Sequence, residues 1–332
     1  MLLVGGFLLL AGISTVAIWI GSGRFEGAAD RLSRHYGVPP IVQGAVIVAI
    51  GSSLPELLTA VLAPLVHADI ELGIAAIVGS AVFNILVIPA LATFAAGGTL
   101  RGSRKLVYRE AYFYIVAVIV FSITLVLAAW PSLHEGTGMA GTLTPALSLL
   151  PLSLYGVYLA IQYRAFRAFS DERRAVSITP WKQWATLGLG FILILGGVEG
   201  LIRAAIALSG LTDTPSFIWG LTLIAVATSV PDTFVSIRAA GNNRSVASMA
   251  NVFGSNTFDL LVAVPAGVIA VGGTTVAVGA LSPILLFLLV ATGLLFIVLR
   301  SDFEIHRPEA YVLLFVYVLF LVGIVIFERG IG

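Results

Sequence analysis

The chain contains no cysteine, which excludes disulfides, thiolate metal sites and cysteine nucleophiles. Charge is scarce too: Asp, Glu, Lys and Arg supply 11% of the 332 residues against 59% hydrophobic residues, and mean hydropathy is +1.05. Too few polar residues are present to cover a water-soluble globule, so the chain belongs in a lipid bilayer. Alternation is missing as well. Runs such as Ala111 to Ala129 and Leu281 to Leu299 are continuously apolar, unlike the alternating segments of about ten residues that build membrane β-barrels. Histidine is down to four residues, none inside a predicted span near an acid, so an intramembrane enzyme would lack the usual base or metal-bound water. The basic residues fall in short loops and not on one folded face, which argues against nucleic acid as a partner. No cofactor or protein partner is indicated.

A spanning helix needs roughly 20 apolar residues. The sequence predicts ten, at about 2–20, 39–64, 70–96, 111–130, 144–163, 185–202, 215–239, 246–271, 281–299 and 310–327. The expected fold class is an all-α polytopic membrane protein. The run Leu2 to Ile20 has no basic stretch before it and no A-x-A-like cleavage site, and reads as a retained first span. Loops after spans one, three, five, seven and nine carry 16 of the 18 Lys and Arg residues, leaving Arg203 and Arg329 on the other side. The positive-inside rule then predicts that both termini are extracytoplasmic.

The two halves of the chain repeat. Val42 to Glu56, ending Gly51-Ser-Ser-Leu-Pro-Glu56, aligns without gaps onto Ile218 to Asp232, ending Ala227-Thr-Ser-Val-Pro-Asp232. Gly79-Ser-Ala-Val-Phe-Asn84 aligns onto Gly254-Ser-Asn-Thr-Phe-Asp259 at nearly the same spacing. Five spans per half require the halves to cross in opposite directions, an arrangement found in secondary transporters whose substrates bind where the repeats meet. The expected units are 1–163, a cytoplasmic connection 164–184, and 185–332.

An ionised group inside a membrane costs at least a few kcal/mol and demands a partner or a purpose. Glu56, Asp232 and Asp259 fall within predicted spans, each with a hydroxyl four residues earlier: Ser52, Thr228 and Ser255; Ser80 precedes Asn84 in the same way. At that spacing both oxygens leave one helix face. Ser53 and Ser229 add hydroxyls, and Pro55 and Pro231 free backbone carbonyls by breaking the helix. An all-oxygen, net-negative set suits hard cations such as Ca²⁺ or Na⁺ and not zinc or copper. One Ser-x-Pro kink alone is ordinary in a spanning helix; two copies, each followed by an acid and placed in inverted halves, favour a site. Asp69 and Glu71 read as caps of the third span, Glu199 and Arg203 as an ion pair near a membrane surface, and His67, His134 and His306 as solvated loop residues.

These two motif pairs resemble the α1 and α2 repeats of the sodium/calcium exchanger family, within the wider cation/Ca²⁺ exchanger superfamily. The resemblance implies an antiporter of a prokaryotic plasma membrane that exchanges Ca²⁺ for Na⁺ by alternating access. It implies Ca²⁺ ligation by Glu56 and Asp232 with Asn84 and Asp259 beside them. For Na⁺ it implies Ser52, Ser53, Ser80, Thr228, Ser229, Ser255 and the carbonyls of Ala49 and Ala225. Ala227 stands where Gly is usual and Ser52 where Thr is common. Asp259 resembles the potassium-dependent branch, which leaves H⁺ or K⁺ coupling as the alternative. A cation channel is the rival from another class.

Overall fold

The computed structural model describes residues 2–37, 49–135, 139–167 and 178–331. In chain order the elements are α1 (Leu2–His35), α2 (Ala49–Ser52), α3 (Leu54–His67), α4 (Ile70–Ala95), β1 (Thr99–Arg101) and α5 (Arg104–Leu106). A π turn (Val107–Ala111) leads into α6 (Tyr112–Glu135), then β2 (Ala140–Leu143), α7 (Pro145–Arg167) and α8 (Pro180–Thr212). Next come α9 (Ser216–Trp219), a second π turn (Gly220–Ile224), α10 (Ala225–Thr228) and α11 (Val230–Gly241). The chain ends with α12 (Ser245–Phe258), a third π turn (Asp259–Ala263), α13 (Val264–Ala270), β3 (Thr274–Ala277), α14 (Val278–Asp302), β4 (Glu304–His306) and α15 (Arg307–Ile331).

The protein is an all-helical polytopic membrane protein. Among the described residues, eight helices are long and apolar enough to cross a bilayer, and the pair broken at Ser229, bent by 42°, makes a ninth. Of the predicted second span 39–64, residues 39–48 lie outside the described residues, and the rest is α2 followed by α3. The remaining predicted spans fall on observed helices. α1 and α8, however, run well past their predicted ends, to His35 and from Pro180 to Thr212. Arg24, Arg31 and Arg34 therefore sit on a helix and not in a loop.

α4 is apolar on every face, which is the pattern of a helix enclosed by others; all but four of its 26 residues are buried. Glycines let neighbouring helices reach it. A Cβ at Gly79 would stand 2.3 Å from the Leu221 carbonyl oxygen, and one at Gly220 2.6 Å from that of Leu72. Asp69 caps α4 as predicted, accepting from the Leu72 amide at 2.9 Å, and also accepts from Ser216 Oγ at 2.6 Å, which ties the start of α9 to it. Glu71 has another job: it accepts from the Ala277 amide at 2.9 Å and anchors β3.

α1 and α8 form a separate packed pair. Their seam uses small residues: Cβ atoms at Gly21 and Gly190 would meet each other's backbone oxygens at 2.9 and 2.8 Å, and one at Gly197 would meet that of Ser14 at 2.8 Å. Small-residue seams let membrane helices approach closely where no hydrophobic drive holds them.

Two antiparallel ribbons, absent from the all-α expectation, join the loops. β1 pairs with β4, Leu100 opposite Ile305, and β2 pairs with β3, Gly141 opposite Val276. Each ribbon thus joins the connection after α4 or α13 to one after α6 or α14. Backbone breaks recur in step. Gly97 and Gly98 have positive φ before β1, and Gly272 and Gly273, 175 positions on, have it before β3; Ala68 and Asn243, equally spaced, do the same before α4 and α12.

Candidate functional site

Proline opens the site. It has no amide hydrogen to give the carbonyl four residues back, and the helices break two residues before Pro55 and Pro231, at Ser53 (φ −92°, ψ 13°) and Ser229 (φ −76°, ψ −4°). The chain restarts at once. The Ser53 carbonyl accepts from Leu57 at 2.9 Å and that of Ser229 from Thr233 at 3.0 Å, so Glu56 and Asp232 occupy the first turns of α3 and α11.

The structure brings the candidate residues together. Ser52, Ser53, Glu56, Ser80, Asn84, Thr228, Ser229, Asp232, Ser255 and Asp259 are all buried, the three acids at 1% exposure or less. Ser80 Oγ and Ser229 Oγ lie 2.8 Å apart, joining α4 to the break before α11. Asn84 Nδ2 donates to Asn256 Oδ1 at 2.9 Å, and Asn256 Nδ2 donates to the Ala81 carbonyl at 3.2 Å. Asp232 Oδ1 accepts from Asn251 Nδ2 at 3.3 Å. Both carboxylate oxygens of Glu56, both of Asp259, Asp232 Oδ2, Asn84 Oδ1 and Ser53 Oγ have no hydrogen-bond partner.

Each acid faces a hydroxyl, but not the one expected. Thr228 faces Glu56, Ser53 faces Asp259 and Ser255 faces Asp232. The breaks at Ser53 and Ser229 interrupt the helix between Ser52 and Glu56 and between Thr228 and Asp232. The facing hydroxyl comes from another helix in each case, and in two of the three cases from the other half of the chain. The acids also lie within electrostatic reach of one another, Glu56 nearest in effect to Asp259, then Asp232.

Among the described residues no three His, Cys, Asp or Glu side chains cluster tightly enough to hold a metal ion by themselves, so a cation here would need the hydroxyls and amides as well. The Ala225 carbonyl, which the resemblance implies as a Na⁺ ligand, is engaged, accepting from the Ser229 amide at 3.2 Å and from Thr228 Oγ1 at 3.3 Å. Ala49 begins α2, and its side chain lies outside the described residues.

Several polar residues escaped the sequence reading. Asn251 and Asn256 flank Gly254, and neutral amides carry no charge penalty to draw attention to them. Glu110 is buried and fully paired, with Tyr158 (3.0 Å), Gln162 (2.9 Å) and Arg109 (2.8 Å). Glu26 of α1 lies within electrostatic reach of Asp232, and its Oε1 is buried without a partner. His67 is no solvated loop residue: it closes α3 and meets Glu199 Oε2 at 3.0 Å, while Arg203 Nε donates to Glu199 Oε1 at 2.6 Å. His134 ends on α6, stacked over Trp130, and His306 lies in β4 beside Asp302.

Comparison with known proteins agrees with this picture. An uncharacterized membrane protein of Methanocaldococcus jannaschii is 27% identical over 322 residues, spanning 96% of this chain and 97% of its own. The solved sodium-calcium exchanger NCX_Mj shares the fold at a TM-score of 0.60 and 24% identity, over 96% of this chain and 98% of that one. The H⁺/Ca²⁺ exchanger CAX does so at 0.70 and 16%, over 98% and 88%. The family described as sodium/calcium exchanger protein matches residues 6–164 and 182–326. Because that match runs through both acidic motifs and nearly the whole length, the chain belongs to the sodium/calcium exchanger family.

Proposed function

We propose that the protein is a secondary antiporter that exchanges Ca²⁺ for Na⁺ by alternating access. One observation carries the reading: three buried carboxylates, five of their six oxygens without a partner, face hydroxyls drawn from both halves of the chain. Buried charge of one sign is tolerated only when a cation neutralises it. On this reading Glu56 and Asp232 ligate Ca²⁺ with Asn84 and Asp259. Ser52, Ser53, Ser80, Thr228, Ser229 and Ser255 serve Na⁺ with the carbonyls of Ala49 and Ala225, the last after Thr228 turns away. One Ca²⁺ or several Na⁺ neutralise the same acids, so the two cargoes exclude each other electrostatically. A cation-free site resists closure, which enforces exchange.

The same reading gives ten spans in two inverted five-helix repeats, 1–163 and 185–332, joined by a cytoplasmic connection 164–184, with both termini extracytoplasmic. The two ribbons support it. Each pairs the segment after the third span of one half with the segment after the fourth span of the other, as a two-fold axis in the membrane plane requires. Burial of all three acids favours an antiporter with an occluded intermediate over a channel. Coupling to H⁺ or K⁺ is the alternative, and the third acid, Asp259, is the observation that favours it. Uptake of ⁴⁵Ca into proteoliposomes preloaded with Na⁺, K⁺ or a proton gradient decides. Uptake driven by Na⁺ alone supports the proposal, and uptake indifferent to every counter-ion sinks it.

A further inference from the structure

α1 also carries the hydroxyl-x-x-x-acid spacing, at Ser22 and Glu26, outside both acidic motifs. Ser22 is 1% exposed, and its Oγ has no partner; neither has the buried Oε1 of Glu26. One turn apart, both leave the same face of α1. That face meets the first helix break: a Cβ at Gly51 would stand 3.1 Å from Glu26 Cγ and 3.7 Å from the Phe25 ring. Gly51 directly precedes Ser52 and Ser53, and Asp232 is the charge Glu26 feels. Its charged neighbours along α1 are used or turned away: Arg34 pairs with Asp30, Arg31 Nε donates to Gln183 of α8 at 2.8 Å, and Arg24 is exposed. The equivalent place on α8 carries no acid: at the offset that sets Val42 on Ile218, Glu26 falls on Ile202, while Glu199, the acid of α8, is held by Arg203 and His67.

We propose that Ser22 and Glu26 form an outer cation station on α1, at the arginine-bearing end of that helix, which takes Ca²⁺ or Na⁺ and passes it to Asp232 and Glu56. This rests on the antiporter reading. Hard cations are recognised by carboxylate and hydroxyl oxygens, and Ser22 and Glu26 supply unpartnered examples of both beside the central acids. The station is one-sided, because α8 has Ile202 where α1 has Glu26, and its own acid, Glu199, is already paired. Ions arriving from the arginine-bearing face meet Glu26 first, and ions arriving from the other face do not.

The test is ⁴⁵Ca exchange in proteoliposomes of uniform orientation, with Ca²⁺ varied on one face at a time. Glu26→Gln should raise the half-saturating Ca²⁺ on the arginine-bearing face by about tenfold, because losing a charged ligand weakens a Ca²⁺ site. The opposite face should be unchanged, and Glu26→Asp should recover most of the loss. If Glu26→Gln is inactive, Ser22→Ala is read in the same way. An equal shift on both faces, or none on either, overturns the station while leaving the antiporter intact. A wild type that exchanges nothing overturns both.

Discussion

Gly79 and Gly254 occupy equivalent places in the two motifs, yet the structure gives them opposite tolerances. A Cβ at Gly79 would stand 2.3 Å from the Leu221 oxygen and 2.8 Å from Ala225 Cβ, whereas at Gly254 the nearest atom is Tyr158 Oη at 3.8 Å. Leu221 lies in a π turn, so the obstructing oxygen is backbone and cannot rotate aside. Reaching even the shortest contact that real Cβ atoms make requires α4 and this turn to part by about 0.7 Å. Ser80 is the next residue, and that shift would stretch its 2.8 Å contact with Ser229 to about 3.5 Å, the limit of a hydrogen bond.

Overpacking of this kind costs about 1–3 kcal/mol, and every 1.4 kcal/mol or so that falls on cation binding is a factor of about ten. Gly79→Ala should therefore lower exchange at least about fivefold and reduce thermal stability. Gly254→Ala, an ordinary contact, should stay within about a factor of two. Initial rates of ⁴⁵Ca uptake across a range of Ca²⁺, with a melting curve for each purified variant, measure both. Equal damage from the two substitutions, or a benign Gly79→Ala, would refute the claim that this crossing sets the site's geometry.

Glu56→Gln and Asp232→Asn should each abolish exchange while the protein still inserts and elutes as a folded species; transport at the wild-type rate by either variant removes that residue from the site. Asp259→Asn should keep Ca²⁺ binding but flatten any dependence of exchange on external H⁺ or K⁺, since it makes the second half match Asn84. A wild type without such dependence, or a variant that keeps it, sinks the coupling role. The chain has no cysteine of its own, so single probes report topology cleanly. A membrane-impermeant thiol reagent on intact cells should label Thr275→Cys and spare Ser301→Cys, both exposed positions, and the reverse pattern would invert the orientation.

The spans were legible because a lipid-embedded helix must be apolar for about 20 residues, and only composition is needed to see that. The acids were legible because charge is rare in such segments. What the sequence hid lies in three dimensions. Spacing put Thr228 with Asp232, yet a helix break turns Thr228 toward Glu56 in the other half. Glu26 went unnoticed because α1 was read as ending at Ile20, leaving Glu26 in a loop, whereas the helix continues to His35. His67 looked solvated because its partner, Glu199, lies 132 residues away. The ribbons were invisible for a simpler reason: strands of three or four residues carry too little pattern.

The repeats are unequal where it matters, and the hydrogen bonds explain one inequality. Asn84 gives its amide to Asn256 Oδ1 of the other half and so keeps Oδ1 free. A carboxylate there has no hydrogen to give, so it would leave Asn256 Oδ1 without its donor and add a fourth negative charge to the cluster. The counterpart, Asp259, makes no such amide contact and faces the hydroxyl of Ser53, which can donate to a carboxylate. On the antiporter reading, this leaves three negative charges. Three Na⁺ balance them completely; one Ca²⁺ leaves one charge over, which a proton or another cation must meet before the site can close. An acid at 84 would make four, and the Ca²⁺-loaded state would carry two uncompensated charges into the bilayer core. The asparagine therefore keeps the two cargoes close enough in charge for one site to close over either.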